Sequence, residues 1–238
     1  VTDGGSLADD GFTILSAAYS AEECAALAEQ VQAALADCSD ESASLRRAGG
    51  PIYGARNLLD LFPPARTLWQ RQPIVAFLSE HLGREFGLVR GLYFDKPPGA
   101  SWSLPWHRDM TIAVQDHSLP TETFHNPTTK AGIPHAEAPD DVLQQMLTLR
   151  IHLDDTTPEN GPLQVVPGSH FSRDTNSTRP PATILVHAGD VLAMRPLLMH
   201  ASGESTAGIA RHRRVIHLEF AAHEMLSDGY CWREFLRI

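Results

Sequence analysis

The chain has 238 residues, 42% of them hydrophobic and 20% charged. That composition excludes wholesale disorder, and the length buries a sizeable core without disulfides or a structural metal. Nineteen Lys and Arg against 29 Asp and Glu give a formal net charge of -10, which argues against a nucleic-acid partner, because duplex binding relies on a basic face.

No apolar run reaches the roughly 18 residues that a membrane helix needs, so no membrane association is expected. The opening VTDGGSLADD shows neither the basic nor the apolar region of a signal peptide. Cys24, Cys38 and Cys231 are too scattered for a disulfide framework or a zinc cluster. A cytoplasmic protein with reduced thiols is the expectation.

In chain order, residues 11–15 (GFTIL) read as a short strand. Ser20-Ala21-Glu22-Glu23 is a capping box, and Cys24, Leu27, Ala28, Val31 and Leu35 recur at helical spacing. They predict a helix over 21–37, followed by a loop to Gly50. A second helical stretch is expected over 65–82, interrupted by Pro73 and stopped by Gly83.

From residue 85 the texture changes to short β-rich runs between Pro, Gly and Asn turns. These runs cover 86–94, 106–114, 147–153, 163–166, 184–186, 190–194, 197–200 and 213–220. No amphipathic helix separates them, so they predict a double-sheet jelly roll rather than βαβ units. The expected fold is α+β but mainly β, in one domain: a helical layer over 1–84 packed on a jelly-roll core over 85–222. Residues 115–142 contain Pro120, Pro127, Pro134 and Pro139 and little periodicity, the signature of a lid-like loop.

Twelve histidines make a transition-metal site worth seeking. If 106–114 is a strand, His107 and Asp109 project from one face and supply two ligands of a facial triad, the arrangement that holds Fe(II) with its opposite side open. The pair alone is weak evidence, since His-x-Asp also fits a surface salt bridge. His200 ends a later β-rich run, and Arg211-His212-Arg213-Arg214 leads into the alternating strand at 215–220. A guanidinium there suits a small-molecule carboxylate.

Four runs, in order, carry a family resemblance: LPWHRD (Leu104 to Asp109), LDDTTPENGPLQVVPGSH (Leu153 to His170), GDVLAMRPLLMHAS (Gly189 to Ser202) and RRVIHLEF (Arg213 to Phe220). The chain resembles the phytanoyl-CoA dioxygenase-like branch of the Fe(II)/2-oxoglutarate-dependent oxygenases. The resemblance implies a double-stranded β-helix, also called a jelly-roll or cupin-like fold. It further implies iron held by His107, Asp109 and His200, 2-oxoglutarate as co-substrate, and O2 as oxidant. Arg213 matches the arginine that anchors the co-substrate, with Arg211 as the alternative because the loop after His200 is longer than the family pattern. Ser202 matches a serine that assists the co-substrate carboxylate, although a loop serine bonding to backbone explains it almost as well.

Other residues admit two readings. Arg150 and His152 share a parity opposite to Leu149, Ile151 and Leu153, so Arg150 would meet co-substrate or substrate if that face lines the barrel. Trp106 suits core packing better than substrate stacking, and His170 belongs to a structural turn. Asn57 and Lys96 suit either the pocket mouth or solvated capping. His117, His125 and His135 are too irregularly spaced for a second metal site.

The expected activity is a dioxygenase hydroxylating a small molecule or natural product, with release of succinate and CO2. Asp109 argues against halogenation, which needs that ligand position free. Alternatives are a cupin-type metalloenzyme that does not use 2-oxoglutarate, a zinc hydrolase, and a non-catalytic small-molecule-binding jelly roll. The sequence leaves the substrate and the oligomeric state open.

Overall fold

A computed structural model of the chain describes residues 4–38, 44–46, 52–175 and 177–238. The capping box forms at the start of the first helix, α1 (Ala21–Ala36). The Ser20 hydroxyl accepts from the Glu23 N–H at 3.2 Å, and the Glu23 carboxylate accepts from the Ser20 N–H at 2.8 Å. Cys24, Ala28, Val31 and Leu35 form its buried stripe.

The expected helix over 65–82 is differently built. Residues 58–66 fold as a short helix α2 (Leu58–Leu61) and a 3-10 turn (Pro63–Arg66). The longer helix α3 (Gln72–Leu82) carries Pro73 in its first turn. An N–H is dispensable there, so Pro73 starts the helix instead of interrupting it.

Fourteen strands among the described residues form three sheets. The largest sheet contains β1 (Phe12–Leu15), β2 (Ser44–Arg46), β3 (Ile52–Ala55), β4 (Gly87–Phe94), β9 (Met146–His152), β12 (Val191–Met194) and β14 (Val215–Ala221). Its spatial order is β1-β12-β9-β14-β4-β3-β2, all antiparallel. The facing sheet contains β5 (Leu104–His107), β10 (Leu163–Val165), β11 (Ala182–Ile184) and β13 (His200–Ser202), in the order β11-β10-β13-β5. A small third sheet, β6-β8-β7, is built from β6 (Thr111–Ala113), β7 (His125–Lys130) and β8 (Ile133–Glu137). The architecture is mainly β, a jelly roll with a helical layer on one face. No described helix is long and apolar enough to cross a membrane.

Side-chain alternation on the large sheet divides the interior. Leu147, Leu149 and Ile151 of β9 and Ile216, Leu218 and Phe220 of β14 face the helices in one apolar core. Trp69 packs there, edge-on to Phe86 and Phe220. Between the two large sheets, Phe12, Leu163, Val165, Leu192, Met194 and Leu198 fill one end of the sandwich. The remaining inward positions, including Arg150, His152, His217 and Glu219, are polar and buried.

Three expectations change. Residues 44–46, expected in a loop, pair as β2 with β3. The stretch 106–114 is two strands in different sheets, broken over residues 108–110. Residues 115–142 are not structureless. They contain β7, β8 and the start of a fourth helix, α4 (Asp140–Gln144).

The pairing that organises this region comes from the C-terminal tail, whose contribution local periodicity does not reveal. Trp232 bridges to Val114, Tyr230 stacks on Phe124 with centroids 4.3 Å apart, and Leu236 bridges to Leu88. The fold makes one direct prediction. Ser20→Ala removes a helix cap and should lower stability by about 1 kcal/mol, read as a shifted urea midpoint with an unchanged slope.

Candidate metal and co-substrate site

The break after β5 places the first ligand pair. Arg108 ties residues 108–110 down by donating from Nε to the Leu197 carbonyl at 2.9 Å and from Nη2 to the Thr175 carbonyl at 2.7 Å. The Asp109 N–H donates to the Pro196 carbonyl at 3.0 Å. Asp109 therefore lies outside any strand. It joins His107 through a pinned turn rather than through strand parity, the reason expected from the sequence.

His107 of β5 is the direct register partner of His200, the first residue of β13, with ring centroids 4.2 Å apart. The PGSH turn holds the second histidine from behind. The Ser169 hydroxyl accepts from the Met199 N–H at 2.8 Å and donates to the Val166 carbonyl at 2.7 Å.

Both imidazoles are oriented alike. His107 Nδ1 lies 2.8 Å from the Pro105 carbonyl, and His200 Nδ1 lies 2.8 Å from the Leu198 carbonyl. A carbonyl only accepts, so each Nδ1 carries the proton and each Nε2 presents a lone pair. Those nitrogens lie 3.7 Å and 3.6 Å from the Asp109 carboxylate oxygens.

One ligand atom from each of the three residues lies within 4.8 Å of the others, the one such group found among the described residues. Burial, opposed by the Asp109 charge, pushes His200 down to about 4, so it is neutral and ready to ligate. For Asp109, burial opposes ionisation, but His200, His217, His107 and Arg150 outweigh it and hold the carboxyl below its usual range. Two imidazoles and one carboxylate, open on one side, match a 2-His-1-carboxylate site for Fe(II). The open side is that of β5: His107 and Asp109 side chains are 30% and 33% exposed, whereas His200 is 3% exposed.

A second feature lies deeper in the barrel. Arg213 is fully buried, and its Nε and Nη1 have no hydrogen-bond partner. Its backbone pairs reciprocally with that of Lys96, which sets the two side chains at the same level. Lys96 is also fully buried, and its Nζ donates to the Ser202 hydroxyl at 3.2 Å and to the Gly203 carbonyl. Arg150, the third buried cation, contacts His217 Nδ1 through Nη1 at 3.2 Å and leaves Nε unpartnered.

Burial and the neighbouring guanidinium groups of Arg213 and Arg150 push Lys96 down to about 7. Burial and Arg150 push Arg213 down to about 9, and a guanidinium still carries its charge at neutral pH. Buried cations with unpaired donors are strongly unfavourable unless an anion arrives. A carboxylate would pair with these donors.

Of the two candidate arginines, Arg211 is exposed and Arg213 lies inside. Ser202 is buried on β13, two residues beyond His200, with its hydroxyl on Lys96. Trp106, expected in the core, is 44% exposed on the edge strand β5. Asn57 donates from Nδ2 to the Ala131 carbonyl at 3.0 Å and makes no side-chain cap. His170 packs against Gly11, where a Cβ would lie 2.5 Å from its ring.

Sequence reasoning left Lys96 among mouth or capping residues, because a lysine before Pro-Pro-Gly looks solvated. It also passed over a polar ladder on the inner face. His217 pairs across strands with Arg150, and Glu219 with Arg90, whose Nη1 lies 3.3 Å from the carboxylate. The alternation of His217 and Glu219 with Ile216, Leu218 and Phe220 was the available signal.

Comparison with known proteins agrees with this fold. Among solved structures, AviO1 from Streptomyces viridochromogenes Tue57 superposes with a TM-score of 0.63 at 24% identity, over 90% of this chain and 91% of that one. EctD from S. alaskensis, described with bound Fe, gives 0.67 at 19% identity over 90% and 74%. The epimerase SnoN, in complex with Fe3+, alpha ketoglutarate and nogalamycin RO, gives 0.63 at 18% over 98% and 92%. At these identities the likeness establishes the fold. No curated protein sequence matches the chain. The family model for phytanoyl-CoA dioxygenase (PhyH) matches residues 7–213, most of the chain and all the residues described above from Lys96 to Arg213. The chain belongs to the phytanoyl-CoA dioxygenase (PhyH) family.

Proposed function

We propose that this protein is a non-haem Fe(II)- and 2-oxoglutarate-dependent dioxygenase that hydroxylates an unactivated C–H bond of a small molecule. The observation that carries the reading is the grouping of the His107, Asp109 and His200 ligand atoms, together with a buried Arg213 whose Nε and Nη1 have no partner and the Lys96 ammonium buried beside it. When bound, ferrous iron and 2-oxoglutarate supply the oxidation of C–H to C–OH by O2, with release of succinate and CO2.

His107 Nε2, the Asp109 carboxylate and His200 Nε2 hold the metal. Arg213 offers its free Nε and Nη1 to the distal carboxylate of the keto-diacid, Lys96 adds a second charge, and Ser202 orients the Lys96 ammonium. Arg150 is near enough to act electrostatically on both Asp109 and Lys96. Its part is to keep the developing anions of the site stabilised. The apolar residues under His200, including Val165 and Leu198, exclude water from below, so substrate arrives from the β5 side.

The buried cations favour this reading over a cupin-type enzyme without 2-oxoglutarate, which needs no carboxylate pocket. A zinc hydrolase lacks a general base at the triad, and Asp109 fills the position a halogenase leaves open.

Steady-state kinetics test the reading. Arg213→Ala should raise the KM for 2-oxoglutarate at least tenfold with little change in iron affinity, and Arg211→Ala should leave both near wild type. The reverse pattern would move the carboxylate site to Arg211.

A pH dependence follows from Lys96. Free, it loses its proton at about 7. A bound carboxylate favours the charged form, so binding above that pH takes up a proton. The KM for 2-oxoglutarate should therefore rise with pH above about 7, by up to about tenfold per unit. Lys96→Met should be weaker throughout and flat over the same range. A wild-type profile as flat as that of the variant would remove Lys96 from the pocket.

A further inference from the structure

The sequence holds no Lys- and Arg-dense patch, but folding assembles one beside the triad. Asn57 ties its segment to the turn between β7 and β8 through its 3.0 Å bond to the Ala131 carbonyl, which brings Arg56 beside Lys130, the last residue of β7. The Lys130 Nζ donates to the Thr111 hydroxyl at 2.9 Å, two residues beyond Asp109. Arg56 lines a narrow cleft together with Arg90 and His135.

The charges of this region do not all cancel internally. Arg90 pairs with Glu219 at 3.3 Å, Arg233 with Asp60 at 2.5 Å, and Glu234 with Arg66 at 3.0 Å through Oε1 alone, its Oε2 being buried without a partner. Asp109 is turned to the two imidazoles. Among the described residues Arg56 has no hydrogen-bond or ion-pair partner, and Lys130 has no ion pair, its one hydrogen bond going to the Thr111 hydroxyl while the Glu219 and Asp109 carboxylates act on it from farther off. Both are half-buried. Burial, together with the neighbouring Arg90, disfavours the charge on each, and for Lys130 this outweighs the opposing pull of the Glu219 and Asp109 carboxylates.

His135 completes the cleft. Its Nδ1 donates to the Ile133 carbonyl at 2.9 Å, and its Nε2 is buried without a partner. Burial and Arg90 push it down to about 4, so it is a neutral imidazole presenting an acceptor. Two cations without an ion pair, beside two orphaned acceptors, His135 Nε2 and Glu234 Oε2, suit a ligand that is anionic and also carries hydroxyl or N–H donors.

We propose that Arg56 and Lys130 hold an oxyanion of the primary substrate, a carboxylate or a phosphate monoester, so that the substrate is a small organic acid. His135 accepts from a donor group of the same molecule. The free volume of the cleft, about 20 Å³, accommodates one ligand oxygen or a bridging water at its floor, and the body of the molecule lies outside it, toward Thr111 and the triad. This proposal rests on the oxygenase reading and names the substrate class for that site.

The test is calorimetry on the full chain, loaded anaerobically with Fe(II) and saturating 2-oxoglutarate so that the Arg213 pocket is filled. The heat of 2-oxoglutarate binding is recorded first, and failure of the oxygenase reading shows at that step. Phenylacetate, phenyl phosphate and neutral phenylacetamide are then titrated separately. At least one acid should bind saturably and the amide should not, with the preferred acid distinguishing carboxylate from phosphate.

The double variant Arg56→Gln/Lys130→Gln should weaken acid binding about tenfold or more, with 2-oxoglutarate binding unchanged. The surface variant Arg211→Gln should bind acids like wild type and serves as the charge control. Lys130→Met alone gives a second reading, with a smaller loss, should the double variant not fold. Acids that bind no better than the amide, or an unchanged affinity in the folded variants, would overturn the proposal.

Discussion

Everything at this site depends on two hydrogen bonds of one kind. His107 and His200 each donate from Nδ1 to the carbonyl two residues back, at 2.8 Å. The bond fixes both the ring and its tautomer, so that the two Nε2 atoms converge on the Asp109 carboxylate. A histidine bonded in this way is a ready ligand, and the antiparallel register of β5 on β13 sets the two opposite one another. The backbone carries the precision, and the side chains follow from it.

The third ligand is held differently. Asp109 sits where β5 ends, and the chain crosses to another sheet, a place where no ladder holds it. Arg108 supplies the missing restraint by donating to carbonyls at 197 and 175, while Ser169 fixes the residue before His200. The PGSH turn and the arginine inside His-Arg-Asp therefore belong to one brace behind the candidate metal site. The pocket beyond it is poised electrostatically. Lys96, Arg150 and Arg213 are buried together, and the repulsion they share is relieved when a dicarboxylate enters. In the proposed reading, pairing of these charges with a carboxylate would contribute to co-substrate affinity.

Much of this was legible in the residues, for physical reasons that differ from element to element. The capping box at Ser20 is a local signal and behaves locally. The alternation of Arg150 and His152 against Leu149 and Ile151 survives because a strand paired on both sides has one polar and one apolar face. The pairing of His107 with Asp109 was anticipated from strand parity, yet the two meet through a turn. Pro73 was misjudged because a proline reads as a breaker unless the start of its helix is known. The small sheet β6-β8-β7 escaped because its partner surface is the C-terminal tail, through Tyr230 and Trp232, a contact between segments far apart in the chain. Lys96 escaped for a related reason: only the folded sheet shows that its backbone pairs with Arg213.

The most direct test of the central claim is an anaerobic visible spectrum of the Fe(II)-loaded protein, taken before and after addition of 2-oxoglutarate. A weak band at about 500 nm is expected to appear on addition, because chelation of ferrous iron by the keto acid creates it. At the same co-substrate concentration it should be diminished in Arg213→Ala. A protein that binds Fe(II) but whose spectrum does not respond to 2-oxoglutarate would contradict the account.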